Sequence, residues 1–168
     1  MPNKINGLEI NQDLAFQKKE WKVQKVGMYI ILFLIIVSIA GFFGTGPVSY
    51  TEEGVEGGDI YAEYQRYTRR HAPNELRLKI GSNALKSDSV IISFDEAYIA
   101  EIQITSISPI PLKTYYSPGK VNYLFSLKDN VSSATIVYYF SPESTGKLNS
   151  AITINNGSSV NFSQLVYP

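Results

Sequence analysis

No cysteine occurs among the 168 residues, and only one histidine. Without cysteine there is no disulfide, no thiolate ligand and no thiol to carry a lipid, so any folded part is held by its core alone. A metal centre or a Ser-His-Asp triad would have to be built on His71, which stands in the charged turn Arg69-Arg70-His71-Ala72-Pro73 and reads as a surface residue. The Gly-x-Ser-x-Gly elbow is missing, and Gly54-Val55-Glu56-Gly57-Gly58 lacks the lysine and the strand-to-helix setting of a phosphate loop. Asp95 and Glu96 are adjacent and would face opposite sides of a strand, which argues against a carboxylate pair acting on one substrate. Glu52, Glu53, Glu56 and Asp59 do not have calcium-loop spacing. With 15 basic and 15 acidic residues there is no net charge, so neither a nucleic-acid surface nor an acidic tail is indicated. The expectation is a chain without catalysis, metal or cofactor.

What the sequence does contain is a run without charge over residues 26–43 (VGMYIILFLIIVSIAGFF). As a helix it would be roughly 27 Å long, close to the roughly 30 Å hydrocarbon core of a bilayer. Lys18, Lys19, Lys22 and Lys25 precede it, and Glu52, Glu53, Glu56 and Asp59 follow it. The excess of lysine on one flank predicts a cytoplasmic N-terminus and an external remainder. Trp21 and Tyr29 mark one boundary, Phe42 and Phe43 the other. The rival reading is a cleaved signal peptide, since Ser38-Ile39-Ala40 has a small-x-small pattern that would place cleavage after Ala40. Against it stand a preceding polar region of 25 residues and an apolar run longer than signal peptides use.

Four segments follow: a cytoplasmic stub (1–25) with a short helix from about Asp13, capped by Asn11 or Asp13; a transmembrane helix (26–43); a linker (44–58) rich in glycine and glutamate; and an external domain (59–168). In the last segment the pattern changes to period-two alternation. Ile60, Ala62 and Tyr64 share one face, as do Leu76, Leu78 and Ile80; Ala100, Ile102 and Ile104; Val121, Tyr123, Phe125 and Leu127; Ile136, Tyr138 and Phe140. Val90 to Phe94 is a short apolar strand, and Leu148, Ile152, Ile154 and Phe162 face inward further on. Pro109 and Pro111 interrupt pairing, Asp129-Asn130 turns the chain, and Asn156-Gly157 predicts a type I′ hairpin. The closing residues Tyr167-Pro168 are expected to be tied to the sheet.

Seven or eight short strands without a helical stretch predict a mainly β fold: one N-terminal transmembrane helix, then an antiparallel immunoglobulin-like β-sandwich, with a small barrel as the alternative. The cations Arg66, Arg69, Arg70, His71, Arg77 and Lys79 fall early in this domain, with Tyr61, Tyr64 and Tyr67 among them. Tyr115 and Tyr116, after the two prolines, make a second contact loop. The candidate partner or lipid contacts are therefore Arg66, Tyr67, Arg69, Arg70, Arg77, Tyr115 and Tyr116. The bland alternative is that these are solvated strand and turn residues.

Residues 63–78 (EYQRYTRRHAPNELRL) resemble a family of uncharacterised bacterial single-pass inner-membrane proteins with a small extracytoplasmic β domain. Phe16, Trp21 and Lys22, the exit Phe43-Gly44-Thr45-Gly46-Pro47 and the closing Phe162-Ser163-Gln164-Leu165-Val166-Tyr167-Pro168 carry the rest of the resemblance. It implies topology, an inner-membrane location with a periplasmic or extracellular domain, and partnership with another integral membrane protein; it implies no catalytic residue. The expected partners are thus the bilayer and a second membrane protein, with self-association left open and no nucleic acid. The alternative function is a tethered domain that binds a ligand or anionic lipid.

Overall fold

The computed structural model describes residues 14–42, 46, 48–85, 88–126, 133–155 and 157–168. The chain divides into two units, Met1–Ser38 and Ile39–Pro168. The described part of the first is helical, and the 27-residue helix α1 (Leu14–Ala40) ends two residues beyond it. Within Phe16–Ala40 a window of 18 residues has a mean hydropathy of 2.2, and α1 is, among the described residues, the one helix long and apolar enough to cross a membrane. Its large side chains lie open all round, as at Met28, Phe33 and Ile36. A helix apolar on every side has no polar face to offer water. Lys25 lies 4.1 Å above the Trp21 ring. The helix stops three residues before the expected position 43, at Gly41, whose φ of 96° only glycine adopts without strain.

The second unit is a β-sandwich. Its elements are β1 (Tyr50–Gly54), β2 (Ile60–Gln65), β3 (Tyr67–Arg69), β4 (Asn74–Gly81), β5 (Ser89–Asp95), α2 (Glu96–Ile99), β6 (Ile102–Ser108), β7 (Lys113–Ser117), β8 (Lys120–Ser126), β9 (Ser133–Pro142), β10 (Gly146–Ile154) and β11 (Ser159–Tyr167). One sheet runs β1-β2-β4-β9-β6 and the other β3-β11-β10-β5-β8-β7. All pairs are antiparallel except β3 with β11.

The alternation read from the sequence is the inward face of each sheet, except that Ala100, expected on a strand with Ile102 and Ile104, follows α2 and is exposed. Leu76, Leu78 and Ile80 from β4 and Ile136, Tyr138 and Phe140 from β9 are buried against Val90, Ile92 and Phe94 from β5, Val121, Tyr123 and Phe125 from β8, and Ile152 and Phe162. The centre is aromatic. Tyr138 meets Phe94, Tyr123 and Phe125 edge-on at 5.0, 5.4 and 6.4 Å between centroids, a geometry that sets ring edges against ring faces.

Several expectations are corrected. The segment read as a linker contains β1, whose Glu53 lies opposite Ala62, so the sheet begins at Tyr50. Eleven strands among the described residues replace seven or eight, because β1, β3 and β7 are too short or too polar to show alternation. The expected absence of helix fails at α2, a single turn closed by the Ala100 N–H on the Glu96 carbonyl, which lays Tyr98 into the core. Tyr115 and Tyr116 lie on β7 and not on a loop. The last hairpin forms, and among its described turn residues Asn155 is left-handed (φ 48°) while Gly157 is not. The Asn155 side chain holds this turn, accepting from the Ile91 N–H and donating to the Ala84 carbonyl, both at 2.9 Å. Asn11, Asp13, Leu127, Asp129, Asn130 and Asn156 lie outside the described residues, as do Phe43, Gly44, Thr45 and Pro47 of the expected exit.

Candidate functional site

The chain changes sheets at Arg66. Gln65 ends β2 in one sheet and Tyr67 begins β3 in the other, so Arg66 is a corner whose backbone must find partners beyond both ladders. Its N–H donates to the Ser49 carbonyl at 2.7 Å, and its carbonyl accepts from the Leu165 N–H at 2.7 Å. The guanidinium donates to Thr51 Oγ1 at 3.0 Å, and the Ser49 hydroxyl donates to the Tyr67 carbonyl at 2.9 Å. Beneath the corner runs a buried polar chain: the Tyr98 hydroxyl donates to Gln164 Oε1 at 2.8 Å, and Gln164 Nε2 donates to the Gln65 carbonyl at 2.9 Å. Burial raises the Tyr98 pKa far above the ordinary tyrosine value.

The turn after β3 is stitched in the same way. Arg70 donates from its backbone to the Tyr167 carbonyl at 2.8 Å and from Nε to the Glu143 carbonyl at 2.6 Å. His71, left-handed at φ 59°, donates its N–H to the Pro142 carbonyl, and its Nδ1 lies 3.5 Å from the Glu143 carboxylate. Asn74 Nδ2 donates to Thr68 Oγ1 and to the Ala72 carbonyl. Arg69 and Arg70 stand exposed at this end. Tyr67 stacks between Phe42 and Tyr167, at 5.8 and 6.3 Å between centroids.

Arg77 does not join this cluster. It lies on the outer face of β4, opposite Glu63 on β2 and Val137 on β9. Its guanidinium is 3.3 Å from Glu75 and 3.9 Å from Glu63, and Lys79 also bonds Glu63. These charges form a mixed-sign ladder across the sheet. At the end of that ladder a hydrogen bond from Tyr61 to Glu52, aided by burial, pushes the Tyr61 pKa up to about 12.

Tyr115 and Tyr116 lie on β7, at the opposite edge of the six-stranded sheet from β3, with four strands between. At about 4.8 Å per strand that is roughly 24 Å. The Tyr115 carbonyl accepts from Asn122 Nδ2, and Lys113 Nζ lies 5.9 Å from the Tyr115 ring. Tyr116 is 72% exposed, and the crossing that precedes it leaves Ile110 86% and Leu112 67% exposed. Ile110 and Leu112 escaped the sequence reading. The available signal was their position beside Pro109 and Pro111, which keep a segment out of a ladder and so leave its apolar side chains without a sheet to face.

An open groove of about 690 Å³ borders the corner, lined among others by Glu53, Tyr64, Arg66, Tyr67, Lys147 and Leu165. It follows the part of β11 that β3 leaves unpaired, since β3 covers only Leu165 to Tyr167. There the Tyr64 hydroxyl accepts from the Ser163 N–H at 3.4 Å. Among the described residues no group of three or more His, Cys, Asp or Glu is placed to hold a metal ion.

Fold and surface together define a two-sheet β-sandwich domain that follows an apolar N-terminal helix. No family model and no curated protein matches the chain. Among solved structures it is similar to a cohesin module from a family 33 glycoside hydrolase of Clostridium perfringens, at 15% identity and a TM-score of 0.43, over 65% of this chain and 96% of that one. It is also similar to a chain of the CaDoc0917–CaCohA2 complex, at 9% identity and a TM-score of 0.41, over 62% of this chain and 96% of that one.

Proposed function

We propose that the chain is a single-pass membrane protein whose outer sandwich binds or braces another integral membrane protein and has no catalysis of its own. In this reading α1 is an uncleaved anchor in a bacterial inner membrane. The N-terminus is cytoplasmic because the lysines cluster before the apolar run, and the sandwich is periplasmic or extracellular. This is also the topology that the family resemblance implies. The observation that carries the reading is the trio Ile110, Leu112 and Tyr116. Three large apolar side chains, among the most exposed of the domain, stand in solvent on and just before one edge strand, while Val55 and Tyr50 are exposed singly elsewhere. Such patches mark contact surfaces, and a large aromatic beside aliphatic anchors is the composition from which interface hot spots are built. An anchor confines the partner to the same membrane.

The test is site-specific photocrosslinking in cells, with the crosslinker at Leu112 or Tyr116 and, as control, at Thr135 on the other sheet. A single stoichiometric membrane-protein adduct from the first two positions, lost in Leu112→Asp, is expected. Equal adducts from all three positions, or a full-length chain that always purifies alone, would overturn the reading.

A further inference from the structure

We propose that the end of the sandwich where the chain enters it is a contact surface for anionic phospholipid headgroups, with Arg69 and Arg70 as the phosphate-facing cations and the Phe42, Tyr67, Tyr167 stack as its interfacial aromatics. The proposal rests on reading α1 as a membrane span.

Covalent reach comes first. Ser49 is nine positions beyond Ala40, the last residue of α1, and it is hydrogen-bonded through both its carbonyl and its hydroxyl to Arg66 and Tyr67. Nine residues extend at most about 32 Å, which bounds how far Ser49 and the residues bonded to it can lie from the end of the span.

Charge comes second. Residues 66–71 and the segment 142–147 to which they bond carry Arg66, Arg69, Arg70 and Lys147 against the one carboxylate of Glu143, which faces His71; Glu101 lies one backbone hydrogen bond beyond. The Arg70 Nε engages a backbone carbonyl, which orients the guanidinium without cancelling its charge. Arg69 is exposed. Arginine forks suit phosphate oxygens, and each cation near an anionic surface adds to the attraction.

The third observation is the aromatic stack. Phe42 follows the span by two residues and lies at 25° to Tyr67, which lies at 21° to Tyr167. Amphipathic rings concentrate at the headgroup level of membranes. A protein partner favours depletion of charge at the centre of its contact, which describes the β7 edge and not this one.

The absence of cysteine makes the test direct. Full-length protein carrying a fluorophore on a single cysteine at Thr145, in the loop beside Lys147, is placed in phosphatidylcholine vesicles with or without phosphatidylglycerol. Quenching by headgroup-nitroxide lipid is then measured, with a label at Thr135 as reference. Phosphatidylglycerol should raise quenching at Thr145 several-fold over that at Thr135. About 1 M salt, which shortens the screening length to about 3 Å, should remove the gain, as should Arg69→Glu with Arg70→Glu. Arg69→Gln, which touches an exposed side chain alone, should remove part of it, and Arg77→Glu none. Equal quenching at Thr145 in both vesicle types, or a gain that survives the double charge reversal, overturns the proposal while leaving the anchor intact. Failure of the protein to float with vesicles of either type sinks the anchor reading, and this surface with it.

Discussion

The two edges of the six-stranded sheet are built to opposite rules. At β3 nearly every backbone group around the corner has a partner, the aromatics stack on one another, and arginines project. At β7 the strand pairs on one side only, and Tyr116 stands exposed together with Ile110 and Leu112 just before the strand. A strand edge left open is a hazard that proteins manage with charge, cover or brevity. One edge here is covered and charged and the other is left bare, so the same sheet offers two surfaces of different chemistry. A charged, hydrogen-bonded edge suits a polar, anionic neighbour; a bare apolar edge suits a protein surface of like character.

That comparison can be broken in order of effect. The largest change should come from the core both edges share. Leu78→Ala removes a fully buried side chain and should cost about 2–5 kcal/mol in urea unfolding of the full-length protein, loosening both edges alike in hydrogen exchange. Asymmetric loosening would mean that the edges are separate folding units.

Next is the polar chain under the β3 corner. Tyr98→Phe leaves Gln164 Oε1 buried without its donor and should cost about 1–3 kcal/mol, with exchange accelerated near Arg66 and unchanged at β7. Uniform acceleration would show that the corner has no local stability of its own.

Alkali should act on the shared core as well. Burial raises the pKa of Tyr98 and Tyr138 above the ordinary tyrosine value of about 10, and burial together with nearby Tyr116 pushes Tyr123 up to about 12. Each holds its proton more tightly folded than unfolded. The stabilisation is full below about pH 10 and falls as pH rises through the raised values. Stability followed by circular dichroism should therefore decline above about pH 10, together with late tyrosinate absorbance. All tyrosines titrating together near pH 10 with no loss of stability would contradict this. Tyr138 offers a sharper variant, since among the described residues its buried hydroxyl has no hydrogen-bond partner. Tyr138→Phe should stabilise by about 1 kcal/mol and remove one of the late-titrating groups.

The smallest effects on stability belong to the exposed residues, and there the edges should differ in function alone. Leu112→Asp should change the unfolding free energy by less than about 0.5 kcal/mol while abolishing the crosslink at β7. Arg77→Ala, in an exposed ladder of both signs, should cost no more than about 1 kcal/mol and leave both surfaces working. Loss of either activity in this variant would place Arg77 back among the contacts.

Much of this was legible in the residues, for a physical reason. A long apolar run reads as helix and strict alternation is a direct imprint of burial, so α1 and the inward faces of β4, β8 and β9 follow from residue order alone. Arg66, Tyr67, Arg69, Arg70, Arg77, Tyr115 and Tyr116 were also recognisable as contact candidates, because charge and aromatic content are local properties. What order could not supply was their grouping. Arg77 is only seven positions from Arg70, yet β4 carries it onto the other sheet among carboxylates. β3 exists because residues 67–69 find β11 nearly a hundred positions away, and Tyr67 acquires its stack through Tyr167 in the same way. Ile110 and Leu112 stand exposed because the two edge strands that flank them, β6 and β7, belong to different sheets, which residue order does not show. Burial is written residue by residue into the chain, whereas the meeting of distant edges is a property of the whole packed sandwich, and the two surfaces of this domain belong to the second kind.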